Sequence, residues 1–174
     1  MQVFSSATMV IGRRCDVPVI NRTLYLPDDV EHVAASEGKL HPSGGIDYFA
    51  IADNRYPWHR VPDLVIGRPG YDNFLVSTAS LCNVSVVDAT KTVVALHQTD
   101  EEGVGSGHRH KDKNYNRRII RRFTAGLRGC WRTNCTKYLT KLTSQDDYAS
   151  NVSLVPQNRS RGTIVVVVRW SKNH

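Results

Sequence analysis

The chain has 174 residues, and several familiar features are missing from it. No window approaches the ~20 apolar residues that a membrane-spanning helix needs, so no span is expected. The opening, MQVFSSATMVIGRR, has an apolar patch but no basic stretch before it, which makes a poor signal peptide. It reads as the edge of a strand, as though the chain starts mid-fold. None of the four cysteines, Cys15, Cys82, Cys130 and Cys135, falls in a C-x-x-C pair, so a zinc ribbon is unsupported. There is no P-loop and no G-x-G-x-x-G run, the usual glycine-lined phosphate cradles. No internal repeat is present.

What remains is the composition of one domain, or most of one, with enough aliphatic residues for a core. The net charge of +7 is unevenly spread. Residues 1–100 carry 8 Lys/Arg against 11 Asp/Glu, and residues 101–174 carry 15 against 5. The split suggests two stretches with different roles. Cys82, in an apolar run, reads as a small buried hydrophobe. Cys130 and Cys135 flank Trp131 and could bridge in an oxidising compartment. Five Asn-x-Ser/Thr sequons begin at Asn21, Asn83, Asn134, Asn151 and Asn158, and matter only if the chain is secreted.

Hydrophobic patterning predicts strands at Thr8–Gly12, Ile46–Ile51, Leu64–Ile66, Val84–Val87 and Thr92–Leu96. Arg13-Arg14-Cys15-Asp16 reads as a turn outward, and Asp53 to Pro57 as another turn. One helix opens at Pro27-Asp28-Asp29, capped by Asp28, with Val30, Val33 and Ala34 on its apolar face, and ends at Gly38. A second starts at Pro69-Gly70-Tyr71-Asp72 and runs to about Cys82. Asp88 reads as a turn residue. Strands alternating with helices up to residue 98 indicate an α/β layer with a mixed sheet.

A polar loop, EEGVGSGHRHKDKNYN, comes next, followed by a basic helix at about Asn116 to Phe123. Arg117, Arg118, Arg121 and Arg122 share one helix face, either a phosphate-binding surface or the solvated side of an amphipathic helix. Ile119, Ile120 and Phe123 lie elsewhere on the helix and are expected to pack. The tail from Ser144 is polar except for Ile164–Val168, a strong β-former.

GIDYF, IGRPGYDNFL, VVDAT, ALHQ and GSGHRHKDKNYN, in that order, resemble a family of nucleotide-diphospho-sugar transferase-like proteins with the GT-A glycosyltransferase fold. The resemblance runs from about Met9 to residue 140. It implies an α/β fold, a partial GT-A-like mixed sheet flanked by helices. No acidic D-x-D triplet precedes residue 16, so the N-terminal nucleotide-binding half is expected to be lacking. Residues 1–143 are expected to form the acceptor-side portion and 144–174 a tail outside the family domain.

The resemblance implies transfer of a sugar from a nucleotide-sugar donor to a hydroxyl acceptor in intact relatives, and little activity in this chain alone. Asp72 is the expected base, with a helix cap as its plain alternative. Asp47, Arg68 and Asn73 are expected acceptor contacts. Asp47 is equally explained by an Asx-turn, and Arg68 by pairing with an aspartate. His97 is the expected ligand of a divalent metal (Mn or Mg) in the intact family, or a hydrogen-bonded strand-end histidine. This chain alone is not expected to hold the metal. His108 and His110, with Asp112 beyond, are expected in a lid, or on one face of a strand facing a metal. The competing expectation is a nucleic-acid or polyanion binder using the 109–132 Arg/Lys-rich segment.

Overall fold

The run TMVIG forms an interior strand, β1 (Thr8–Gly12), with Met9 and Ile11 sealed from solvent. A computed structural model describes residues 8–51, 56–99, 106–124, 129–146, 149–156 and 168–171. Strand β1 pairs antiparallel with β4 (Tyr48–Ile51) and parallel with β5 (Ser85–Asp88). Parallel to β5 lies β7 (Tyr138–Asp146), followed by the antiparallel strands β8 (Ala149–Pro156) and β9 (Val168–Ser171). The six-stranded order is β4-β1-β5-β7-β8-β9. In a separate three-stranded sheet, β2 (Cys15–Val17) lies between β3 (Lys39–Leu40) and β6 (Leu96–Gln98). The fold is therefore α/β with mixed sheets. The expected boundary at 143/144 falls inside β7, and sheet pairing continues across it.

Helix α1 (Pro27–Glu37) buries Val33 as its apolar stripe requires. Its cap is not Asp28: the Asp29 carboxylate accepts from the Tyr25 and Leu26 amides at 3.1 and 3.0 Å. Helix α2 (Tyr71–Leu81) starts after Gly70, whose φ of 97° suits glycine. It is buried continuously from Phe74 to Ala79. It ends in a Schellman turn: Asn83 is left-handed at φ 59°, and the Val84 amide donates to Ala79 O at 2.9 Å. Leu75, Val76 and Ala79 pack with Met9, Ile11, Ile46 and Tyr56 in the core, and the Tyr56 hydroxyl donates to Leu75 O at 2.8 Å. Truncating Leu75 to alanine removes about 2–5 kcal/mol at such a site.

Three expected elements differ. Leu64–Ile66 is not a strand but a loop clasped by one buried amide. Asn116 donates to Val65 O and Arg68 O at 2.9 and 3.0 Å and accepts from the Val65 amide at 2.8 Å. Thr92–Ala95 is not a strand, because the Thr92 and Val93 amides both turn back to Ala89 O. The strand begins at Leu96, where β2 supplies a partner. Arg13–Asp16 does not turn outward, since Cys15 and Asp16 enter β2. Asp88 is the turn residue expected, its carboxylate accepting from the Thr90 amide and hydroxyl.

A single turn, α3 (Ser106–Arg109), precedes helix α4 (Tyr115–Thr124). Helix α4 buries Asn116 and Ile120 and exposes Arg117, Arg118, Arg121 and Arg122. Phe123, expected to pack, is exposed instead. Asn116→Ala removes three hydrogen bonds from a fully buried site and strands the Val65 amide. It is expected to cost about 2–3 kcal/mol in urea unfolding. A cost no greater than that of a surface substitution would show that the clasp is not tight. Among the described residues no helix is long and apolar enough to cross a membrane. Residues 53–55 of the expected turn from Asp53 to Pro57, residues 101–105 of the expected polar loop, Arg128, Asn158 and Ile164–Val167 lie outside the described residues.

Candidate functional site

Period-two geometry sets the centre of the site. Arg14, just before β2, and Asp16, within it, project to the same side of the strand. The Arg14 guanidinium donates from Nε to Asp16 Oδ1 at 2.6 Å and from Nη1 to Asp47 Oδ1 at 2.5 Å. The other Asp16 oxygen meets His41 Nδ1 at 2.6 Å. His97 enters through sheet register, because β2 and β6 run parallel with Asp16 opposite His97. Its Nδ1 lies 3.7 Å from Asp16 Oδ1, buried and without a hydrogen bond among the described residues.

Backbone contacts hold these side chains in place. The His41 amide donates to Arg14 O at 3.0 Å, and the Asp47 amide to Gly12 O at 3.2 Å. Gly45 is needed on steric grounds, since a Cβ there would run into the His41 ring. Asn73 donates to Gly44 O at 2.9 Å and to Trp131 O at 3.0 Å. Both protons of that amide tie α2 to two loops. Expected as an acceptor contact, Asn73 keeps only its Oδ1 for that purpose. The second loop is closed by a disulfide between Cys130 and Cys135, the pairing left open by the sequence.

The electrostatics divide the aspartates. Burial pushes the Asp16 carboxyl up, but hydrogen bonds and charge from His41 and Arg14 outweigh it and hold the group below its ordinary value. Asp72, in the first turn of α2, goes the other way. Burial first, then the Asp47 charge, raise it to about 6, against the opposing pull of its own backbone amide and Arg14. Gly70 occupies the cap position, and Asp72 lies two residues into the helix. Arg14, Asp16, His41 and Asp47 form a hydrogen-bonded network; His97 lies beside it at Asp16, and Asp72 feels the charges of Asp47 and Arg14 through space.

Other expected residues lie apart. Arg68 donates to the neighbouring Gly67 O at 3.2 Å, and no hydrogen bond or ion pair among the described residues joins it to the network. His108 lies in the short helix α3 and not on a strand, so the shared strand face with His110 is absent. His110 Nδ1 instead accepts from the Asp112 amide at 3.0 Å.

The residues around His97 do not fit a divalent cation. Both Asp16 oxygens serve Arg14 and His41, and the guanidinium occupies the space between two carboxylates. Among the described residues no trio of His, Cys, Asp or Glu is placed to hold a metal.

Arg14, Asp16 and His41 escaped the sequence reading. The available signal was the R-x-D alternation next to a β-branched residue, which a strand would place on one face. No protein-family model, curated protein or solved structure matches the chain.

Proposed function

We propose that the Arg14–Asp16–His41–Asp47–Asp72–His97 group is the acceptor side of a GT-A-like sugar transferase, with Asp72 as the base that takes the proton of the acceptor hydroxyl. The observation that carries this reading is the half-buried Asp72 carboxyl beside Asp47 and Arg14, raised to about 6. A base poised near neutrality combines ionisation with basicity, whereas an ordinary carboxylate is too weak a base. Arg14 stands between Asp16 and Asp47 and fixes the latter for a hydroxyl contact. His41 and His97 border the same carboxylate and provide ring nitrogens for polar recognition. A nucleotide-sugar donor belongs to the reaction in this reading, and no step is assigned here to a metal.

The test is a saccharide panel added to the isotopically labelled chain. Expected are shifts confined to the side chains of Asp47, Asp72, His41 and His97, with binding retained by Asp72→Asn and lost in Asp47→Ala. Absence of any saccharide response at millimolar concentration sinks the reading.

A second reading has one observation in its favour: the four exposed arginines of α4. In it, the chain binds nucleic acid. Affinity for a single-stranded RNA would then fall by orders of magnitude with added salt, and replacing Arg117, Arg118, Arg121 and Arg122 by glutamine would abolish it. Saccharide binding would survive that replacement.

A further inference from the structure

A second site adjoins the Asp72 network, at the carboxyl ends of the parallel strands β1 and β5. From β1 the chain reaches β4 on one side, and α2 then carries it across to β5 on the other. In α/β sheets, ligands bind in the crevice outside the carboxyl ends of the parallel strands. A cavity of about 440 Å³ occurs there, lined by Arg13 immediately after β1, Asp88 at the end of β5, and Lys91, Ser43 and Asn134. That volume lies in the range of small-molecule sites.

The charges of the lining are unbalanced. Arg13 and Arg14 are adjacent, yet among the described residues only Arg14 has carboxylate partners. Arg13 Nη1 donates to His41 O at 3.2 Å, which fixes the side chain without neutralising it. Its Nε is buried with no acceptor among the described residues. A partly buried, unpaired guanidinium is costly, and an anion beside it offsets that cost. Lys91 adds a second positive charge.

Asp88 is the one acid of the lining among the described residues, and its Oδ1 already accepts from the Thr90 amide and hydroxyl. Its second oxygen has no donor among the described residues and suits a ligand hydroxyl. The walls are held by the Arg13 amide, which donates to Thr90 Oγ1 at 3.1 Å, and by the Ala89 amide, which donates to Ile11 O at 2.8 Å. The donor set therefore calls for an oxyanion and a hydroxyl on one small molecule.

We propose that this cavity binds a phosphorylated polyol, with the phosphate on Arg13 and Lys91 and a hydroxyl on Asp88. This does not depend on the role of Asp72.

Calorimetry on the full chain tests it with ribose 5-phosphate, inorganic phosphate and ribose. Ribose 5-phosphate is expected to bind, inorganic phosphate more weakly, and ribose not detectably. Arg13→Met and Lys91→Met are each expected to weaken ribose 5-phosphate by at least about tenfold. Lys91 is exposed, so its variant serves even if Arg13→Met is poorly folded. Asp88→Asn is expected to remove the advantage of ribose 5-phosphate over inorganic phosphate. No binding of ribose 5-phosphate overturns the proposal. So does binding that survives both Met variants and disappears with the four α4 arginines, because the phosphate then sits on α4.

Discussion

Asp16→Ala is expected to lower the unfolding free energy by about 2–4 kcal/mol near neutrality, since two charge-assisted hydrogen bonds are lost at once. The carboxylate is well shielded, and Arg14 and His41 use one oxygen each. Removing it leaves His41 without its partner and Arg14 with Asp47 alone. It also takes away the carboxylate beside His97 Nδ1. Asp16→Asn keeps an acceptor oxygen and is expected to fall between the wild type and Asp16→Ala.

The pH dependence follows from the lowered value of Asp16 in the folded chain. A carboxyl depressed by folding contributes stability that is present above its unfolded value. That stability is lost as pH falls through the folded value. The gap between wild type and Asp16→Ala is therefore expected to be full at neutral pH and to close in acid. Urea titrations at several pH values measure it. A gap independent of pH would mean that Asp16 acts by packing and not by charge.

The second large effect concerns Asp72, whose carboxyl is expected to titrate at about 6 by carbon-detected resonance. Asp47→Asn removes the like charge and moves the value down, whereas Arg14→Gln removes the opposing one and moves it up. The stability consequence has the opposite sign to that of Asp16. The folded value lies above the ordinary 3.8, so the ionised form is disfavoured by folding. That cost appears as pH rises through the unfolded value and is complete above the folded one.

Asp72→Asn is thus expected to stabilise the chain by about 1–2 kcal/mol at neutral pH, after solvent screening and the lost helix-dipole interaction are allowed for. In acid the gain disappears. In the reading proposed above, the cost of ionisation is the stability given up to keep Asp72 available as a base. Titration near the ordinary carboxylate value, or no gain at neutral pH, would remove the physical basis for Asp72 as a base.

Much of the fold is legible in the chain because local signals agree there. TMVIG, the apolar face from Phe74 to Ala79 and the β-branched run at Val84–Val87 each specify an element by period and flanking residues. Leu64–Ile66 fails for a reason found far along the chain. Asn116, some fifty residues later, supplies the hydrogen bonds that a strand partner would have supplied. Val93 and Val94 are β-branched, yet the Ala89 carbonyl captures the Thr92 and Val93 amides and leaves both valine side chains exposed. The disulfide, too, depended on how the loop around Trp131 brought its ends together.

By itself the sequence determined the alternation of strands and helices, the basic face of α4, and the position of Asp72 in the first turn of a helix. These depend on periodicity and composition, which are properties of neighbours in the chain. Only the tertiary structure decided that Arg14, Asp16 and His41 stand with Asp47, Asp72 and His97. The pairing of β2 with β6 places Asp16 opposite His97, and a hydrogen bond from the His41 amide to Arg14 O closes the group. Charges so assembled shift each other's ionisation through space, and no local pattern in the chain encodes those distances.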